Sequence, residues 1–201
     1  MNPIQVLMDE HRKIEKILSS LDRFAGEIQK NPKLDGRGDL ARFVEIIAEY
    51  ADRTHHGKEE EILFEEMAKA GFPRESGPLA VMLAEHDDGR RQVGILRQML
   101  QTPGIWNAGE RDTILLAAAT YTALLRQHIQ KEDHVLYPMA QARLNAETWS
   151  GIESRFTAFE KNEKETGREK QLLGLWEELT TTWKGAECGT PLPSHGCCGC
   201  H

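Results

Sequence analysis

Apolar residues recur at the spacing of an α-helix along almost the whole chain, and this periodicity constrains the fold more than any other feature. No segment shows the alternating pattern of a β-strand or the Asn-Gly pair of a tight hairpin. Glycine and proline interrupt the periodicity in a few short segments, which predicts four long helices at about 4–29, 39–69, 77–100 and 108–144, with Asp39 as the N-cap of the second. Four long helices with short connections favour an all-α, up-down-up-down four-helix bundle.

The chain changes character twice after the fourth predicted helix. Helical periodicity continues over 147–184, interrupted near Gly167, and predicts one or two additional C-terminal helices that pack on the bundle. From Gly185 onward Gly, Pro, Cys and His dominate, a composition that predicts a flexible tail. The predicted organisation is therefore a bundle at 1–145, a helical flank at 146–184 and a Cys/His-rich tail at 185–201.

Charge and hydropathy exclude two classes of partner. The chain has 25 Lys and Arg against 32 Asp and Glu, a net charge of −7, whereas a nucleic-acid surface needs clustered basic residues. Asp9, Glu10 and His11 occupy the region where a signal peptide needs an apolar stretch, and no run is long enough to span a membrane. We therefore expect a cytoplasmic protein that binds neither nucleic acid nor membrane.

All four cysteines lie in the last fourteen residues, so they cannot staple the body of the fold. They are Cys188, Cys197, Cys198 and Cys200, accompanied by His195 and His201. Three interpretations of this tail stay open: a second metal site for a soft or borderline ion, a redox-sensing thiol pair, and a terminus without a role.

Polar residues occupy core-facing positions in every predicted helix of the bundle. Six of them lie in register with the apolar series: His11, His55, Glu59, His86, His128 and Glu132. Burial of uncompensated polar groups costs on the order of a few kcal/mol each, and two ionised carboxylates in one core cost far more unless positive charge lies between them. A metal cluster supplies that charge.

The sequence also repeats itself. MDEHRKIEKIL around His11 is similar to LAEHDDGRRQV around His86, and HHGKEEEILF from His55 is similar to HIQKEDHVLY from His128. A histidine helix followed by an HxxxE helix thus occurs twice. Either element alone is common on helices, but two matched halves indicate a paired site.

Over residues 3–142 this pattern resembles the hemerythrin-like, HHE cation-binding proteins. The resemblance implies a non-haem centre of two iron ions inside an up-down four-helix bundle. It places one iron on His11 and His55, the other on His86 and His128, and both bridging carboxylates on Glu59 and Glu132. Imidazole and carboxylate ligands suit iron, and the bundle has no cysteine for a thiolate site.

One position departs from the oxygen-carrying hemerythrins, which have a further histidine one turn after the third-helix ligand. Here that position is Arg90. Four imidazoles, two bridging carboxylates and one bridging oxygen fill about ten of about twelve octahedral positions, so we expect roughly two to stay open and simple oxygen storage to be disfavoured.

The expected function is interaction of the di-iron centre with oxygen, nitric oxide or peroxide in sensing or stress response. The alternatives are a di-iron peroxidase or catalase-like enzyme and a metal-handling protein that uses the Cys/His tail.

A second HxxxE pair, His56 and Glu60, is offset by one residue from His55 and Glu59. One residue rotates an α-helix by about 100°, so only one pair should face the core. Alignment of ILF at 62–64 with VLY at 135–137 favours the pair His55 and Glu59. Glu60 is then expected on a solvated face.

Four further polar residues flank the predicted ligands. We expect Asp133 and His134 at the surface, with the alternative that they support the ligands from outside the centre. Glu10 and Glu85 are also expected to be exposed, with the alternative that each orients a neighbouring imidazole or reaches an open metal position.

Overall fold

The computed structural model describes residues 2–184 and, within them, contains helices and turns but no strand. The predicted all-α class is confirmed. The α-helices are α1 (Pro3–Lys30), α2 (Arg37–Ile46), α3 (Phe64–Lys69), α4 (Gly77–Met99), α5 (Ala108–Lys131), α6 (Tyr137–Arg143), α7 (Ala146–Glu165) and α8 (Arg168–Thr182), and the π-helical segments are π1 (Ile47–His56), π2 (Glu59–Leu63) and π3 (Glu132–Leu136). The cysteines of the tail lie outside the described residues. Within residues 2–184 no helix combines the length and the apolar character needed to cross a bilayer.

Local signals set the helix starts. The Asn2 side chain accepts hydrogen bonds from the first backbone N–H groups of α1, and Asn107 forms a capping box with Glu110 at the start of α5. The second long helix begins at Arg37 with Gly36 as its N-cap, so the predicted cap at Asp39 was wrong. The backbone at Gly36 lies against α1, where a side chain would overlap Ile28 and Phe24.

The elements from α1 to α6 form four long helical stretches: α1; α2 to α3 with π1 and π2; α4; and α5 to α6 with π3. Two apolar clusters hold these four stretches together. One contains residues 14–28 of α1, 40–51 of α2 and π1, the second half of α4 and most of the buried face of α5. The other contains the start of α1, the end of the second stretch, the start of α4, and α6 with part of α7. The six predicted ligands lie between these clusters on every stretch, so the polar site is enclosed by apolar layers at both ends.

The C-terminal helices α7 and α8 cover one side of the bundle. They meet at Gly167, whose φ of 71° is the left-handed conformation that glycine tolerates best. Phe156 of α7 is buried and its ring lies 5.5 Å from the ammonium of Lys58, and Glu163 forms two hydrogen bonds with Arg53. Lys58 is fully buried beneath this flank.

Truncation of Phe156 to alanine should lower the free energy of unfolding by about 3–5 kcal/mol, because it leaves a cavity and uncovers Lys58. Urea denaturation followed by circular dichroism measures this. The control is Leu116→Ala, at a position that is 70% exposed, which should change stability by no more than about 0.5 kcal/mol. Similar losses in both variants would contradict the role assigned to the flank.

Candidate metal centre

Seven buried side chains meet between the two apolar clusters: His11, His55, His56, Glu59, His86, His128 and Glu132. Their ligand atoms form two groups, and within each group all atoms lie within 4.8 Å of one another. The first group, called here the His11 group, consists of His11, His55, Glu59 and Glu132, and the second, the His86 group, of His56, Glu59, His86 and His128. The structure thus brings all six predicted residues together and adds His56.

The two carboxylates lie between the groups. Glu59 Oε2 is 3.6 Å from the Nε2 atoms of both His55 and His86. Glu132 Oε2 is 3.2 Å from the Nε2 atoms of His11 and His128. Each carboxylate therefore faces one imidazole from each group, which is the position that a bridging ligand requires.

The expectation that His56 points away from the core was wrong, and the reason is the local helix type. A step of 100° per residue holds for an α-helix, but π1 has wider i→i+5 turns, as where the Gly57 N–H donates to the Asp52 carbonyl. Both His55 and His56 are buried, and the His56 ring stacks on His86 with centroids 3.8 Å apart. The sequence signal was the adjacent pair of histidines, of which α-helical geometry allowed only one to face the core.

A ring of carboxylates surrounds the imidazoles. Each Nδ1 atom faces one of them, and the pairs are His11 with Asp133 at 2.7 Å, His55 with Glu10 at 3.0 Å, His56 with Asp52 at 3.4 Å, His86 with Glu60 at 2.6 Å and His128 with Glu85 at 2.9 Å. In each pair the carboxylate accepts a hydrogen bond from Nδ1–H, and this contact turns the Nε2 atom of the same imidazole toward the centre.

Cations in turn neutralise these carboxylates. Arg12 binds Asp133, Lys58 binds Glu10, Lys131 binds Glu85, and Arg90 binds both Asp52 and Glu60. The structure thereby corrects the assignment of Glu60 to a solvated face and of Asp133 to the surface. For Glu10 and Glu85 the orienting alternative is the one that the geometry supports, while His134 is exposed.

Several buried atoms of the centre have no hydrogen-bond partner within residues 2–184. They are Nε2 of His55 and His56, Oε2 of Glu59 and both carboxylate oxygens of Glu132. Unpaired buried acceptors cost free energy, and a cation among them removes that cost. These atoms are imidazole nitrogens and carboxylate oxygens without any thiolate, so the donor set fits iron.

The pKa shifts show how the protein compensates charge in the centre without metal. Burial, together with the charge of Glu132, raises the pKa of Glu59 well above its ordinary value. Burial opposes ionisation of Glu132 as well, but the charges of His128 and His11, whose Nε2 atoms lie 3.2 Å from its carboxylate, hold its pKa well below the ordinary value.

The imidazole pKa values also shift in opposite directions. Burial lowers the pKa values of His55 and His56 well below the ordinary value, which keeps both imidazoles neutral. Burial also acts against protonation of His11, but the hydrogen bond to Asp133 and the nearby negative charge of Glu132 outweigh it and raise its pKa to about 9. Protons therefore supply positive charge where a metal ion would otherwise supply it.

Comparison with known families agrees with this geometry. The sequence model of the Hemerythrin HHE cation binding domain matches residues 2–140, a span that contains all seven buried side chains and both halves of the repeat.

Curated relatives with similar sequences are iron-sulfur cluster repair proteins named YtfE. The protein from Yersinia pestis (strain Pestoides F) is 29% identical over 138 residues, which cover 66% of this chain and 60% of the relative. The protein from Yersinia pseudotuberculosis serotype O:1b (strain IP 31758) is 31% identical over 106 residues, covering 52% of this chain and 47% of the relative. The matched region thus spans at most about 60% of the length of these relatives.

Replacement of His56 by alanine should lower the metal retained after chelator treatment by up to about half, because it removes an imidazole from the His86 group alone and weakens that group's hold on its ion. Metal analysis of the purified, reconstituted variant measures this. His134→Ala, at an exposed position, is the matched control and should bind as the wild type does. Full retention by His56→Ala would return the site to the six residues predicted from sequence.

Glu60→Ala should weaken metal binding by about 10- to 100-fold, since it removes the acceptor that orients the His86 imidazole. Its neighbour Glu61 is exposed, and Glu61→Ala should leave affinity unchanged. Competition with a chromogenic chelator gives both affinities. Equal affinities in the two variants would show that Glu60 does not support His86.

Proposed function

Because the chain belongs to the hemerythrin HHE cation-binding domain family, we propose that its seven buried side chains hold a non-haem di-iron centre. The proposed ligands are His11 and His55 for one iron, His56, His86 and His128 for the other, and Glu59 and Glu132 as bridges. The observation that carries this proposal is the pair of four-residue groups that share Glu59, with their buried acceptor atoms left without protein partners.

The proposed scaffold is an up-down-up-down four-helix bundle. The two apolar clusters support it, because α1 and α4 run from the cluster around Leu7 and Leu79 toward the cluster around Leu18 and Leu96. The second and fourth helical stretches run the opposite way. Each stretch then delivers its ligands at mid-length, where all four are in contact.

The His56 imidazole changes the number of coordination positions that the protein would fill. Arg90 stands where the oxygen carriers have a histidine, but its guanidinium binds Asp52, Glu60 and Asp87, and His56 supplies an imidazole from the second helical stretch instead. Five imidazoles, two bridging carboxylates and one shared solvent ligand fill about eleven of about twelve positions. About one coordination position is therefore open, rather than two, so the proposed site no longer disfavours reversible oxygen binding.

Iron held by these residues would supply redox-active Lewis-acid chemistry, and we propose oxygen, nitric oxide or peroxide as the class of small ligand. The protein residues enclose that ligand between two apolar clusters and keep the imidazole Nε2 atoms directed at the metals. The similarity to iron-sulfur cluster repair proteins of Yersinia supports a role in stress response. The cytoplasmic location stays a prediction.

The reconstituted protein should contain about two irons per chain, because seven protein ligands in two groups exceed what one octahedral ion accepts. Iron analysis and the visible spectrum under air and under reductant measure this. The double variant His55→Ala with His128→Ala should lose most of the iron, since it removes one imidazole from each group, while His134→Ala should retain it.

One iron per chain, or unchanged uptake by the double variant, would reject the dinuclear site. Stopped-flow mixing of the reduced protein with peroxide separates the functions. Catalytic turnover would favour the peroxidase-like or catalase-like alternative, whereas a single oxidation event would favour sensing.

A further inference from the structure

The two halves of the centre are built from the same sequence motif, so every difference between them is identifiable. The corresponding residues are Glu10 and Glu85, His11 and His86, His55 and His128, Lys58 and Lys131, Glu59 and Glu132, Glu60 and Asp133, and Phe64 and Tyr137. The backbone follows the same correspondence. The Phe64 N–H donates to the Glu59 carbonyl and the Tyr137 N–H to the Glu132 carbonyl, each closing a π-helical turn.

These two π-helical turns place an aromatic ring against one imidazole in each half. The Phe64 ring lies nearly parallel to His86, with centroids 6.0 Å apart and an angle of 14°. The Tyr137 ring lies nearly parallel to His11, with centroids 5.6 Å apart and an angle of 8°. The rings are equivalent, so the hydroxyl of Tyr137 is the difference between them.

That hydroxyl lies inside the His11 group. Tyr137 is buried, its hydroxyl donates to Glu59 Oε1 at 2.6 Å, and its oxygen is 3.4 Å from His11 Nε2. Both contacts are to proposed ligands of the same iron. The phenol is therefore the polar side chain that adjoins this iron position without belonging to its ligand set.

A second difference determines which iron position is incomplete. His56 corresponds in the repeat to Ile129, which offers no ligand atom. The His86 group consequently has three imidazoles and the His11 group two. Glu59 belongs to both groups, and Glu132 Oε2 lies 3.2 Å from the Nε2 atoms of His11 and of His128. The one coordination position that the proposed ligands leave open is therefore assigned to the His11 group. The Tyr137 hydroxyl lies against two members of this group, His11 and Glu59.

We propose that Tyr137 is a specificity-determining residue whose hydroxyl donates a hydrogen bond to a small ligand held in the His11 group. This inference rests on the proposed di-iron function. A hydroxyl has one proton, and rotation about its C–O bond redirects that proton from Glu59 to a ligand beside His11. The class of ligand favoured is a diatomic or triatomic species that presents a lone pair or negative charge to the donor.

Azide is the probe, bound to the full chain loaded with ferric iron. Wild type, Tyr137→Phe and the mirror-image control Phe64→Tyr are compared by iron content, by azide affinity from visible titration, and by the azide stretching band in H₂O and D₂O. Tyr137→Phe should keep two irons and bind azide about 10- to 100-fold more weakly, because one hydrogen bond to a charged group is lost. The wild-type band should shift in D₂O and the shift should vanish in Tyr137→Phe, while Phe64→Tyr should match the wild type.

The azide band itself tests the proposal without any variant. A wild-type band that is insensitive to D₂O overturns it, and so does unchanged azide affinity in a Tyr137→Phe protein that holds two irons. Loss of iron in Tyr137→Phe would also overturn it, since the hydroxyl would then serve metal retention. Fewer than two irons in the wild type would reject the di-iron proposal as well, which distinguishes the two failures.

Discussion

The close approach of two fully buried carboxylates, Glu59 and Glu132, is the constraint on which the rest of the structure depends. Two such groups cannot both hold a negative charge in an apolar core without compensation. The protein surrounds them with successive layers of basic and acidic side chains. Imidazoles come first, then a ring of carboxylates on the Nδ1 atoms, and finally lysine and arginine side chains toward the surface.

This layered arrangement explains why so many charged residues lie on helices that also build the core. Arg90, for example, binds two carboxylates at once, and these carboxylates serve His56 and His86. A guanidinium at the edge of the bundle thereby fixes two imidazoles of one group.

The helical flank makes the equivalent halves different. Lys58 and Lys131 occupy corresponding positions and bind corresponding glutamates, but Lys58 is fully buried beneath α7 while the Lys131 side chain is 40% exposed. Differences in sequence at two other corresponding pairs, His56 with Ile129 and Phe64 with Tyr137, add to this asymmetry. A site built from a repeated sequence thus has two unequal groups of possible ligand atoms.

The sequence by itself determined the helical class, the approximate positions of the long helices and six of the buried polar residues of the centre, because periodicity of 3.6 residues shows which side chains share a buried face. Tertiary structure decided the rest. His56 joins the centre because π1 departs from that period, and a pattern with the α-helical period cannot predict this departure. The partner of His11 is Asp133, a residue 122 positions away, and such a pairing depends on how distant helices pack rather than on local pattern.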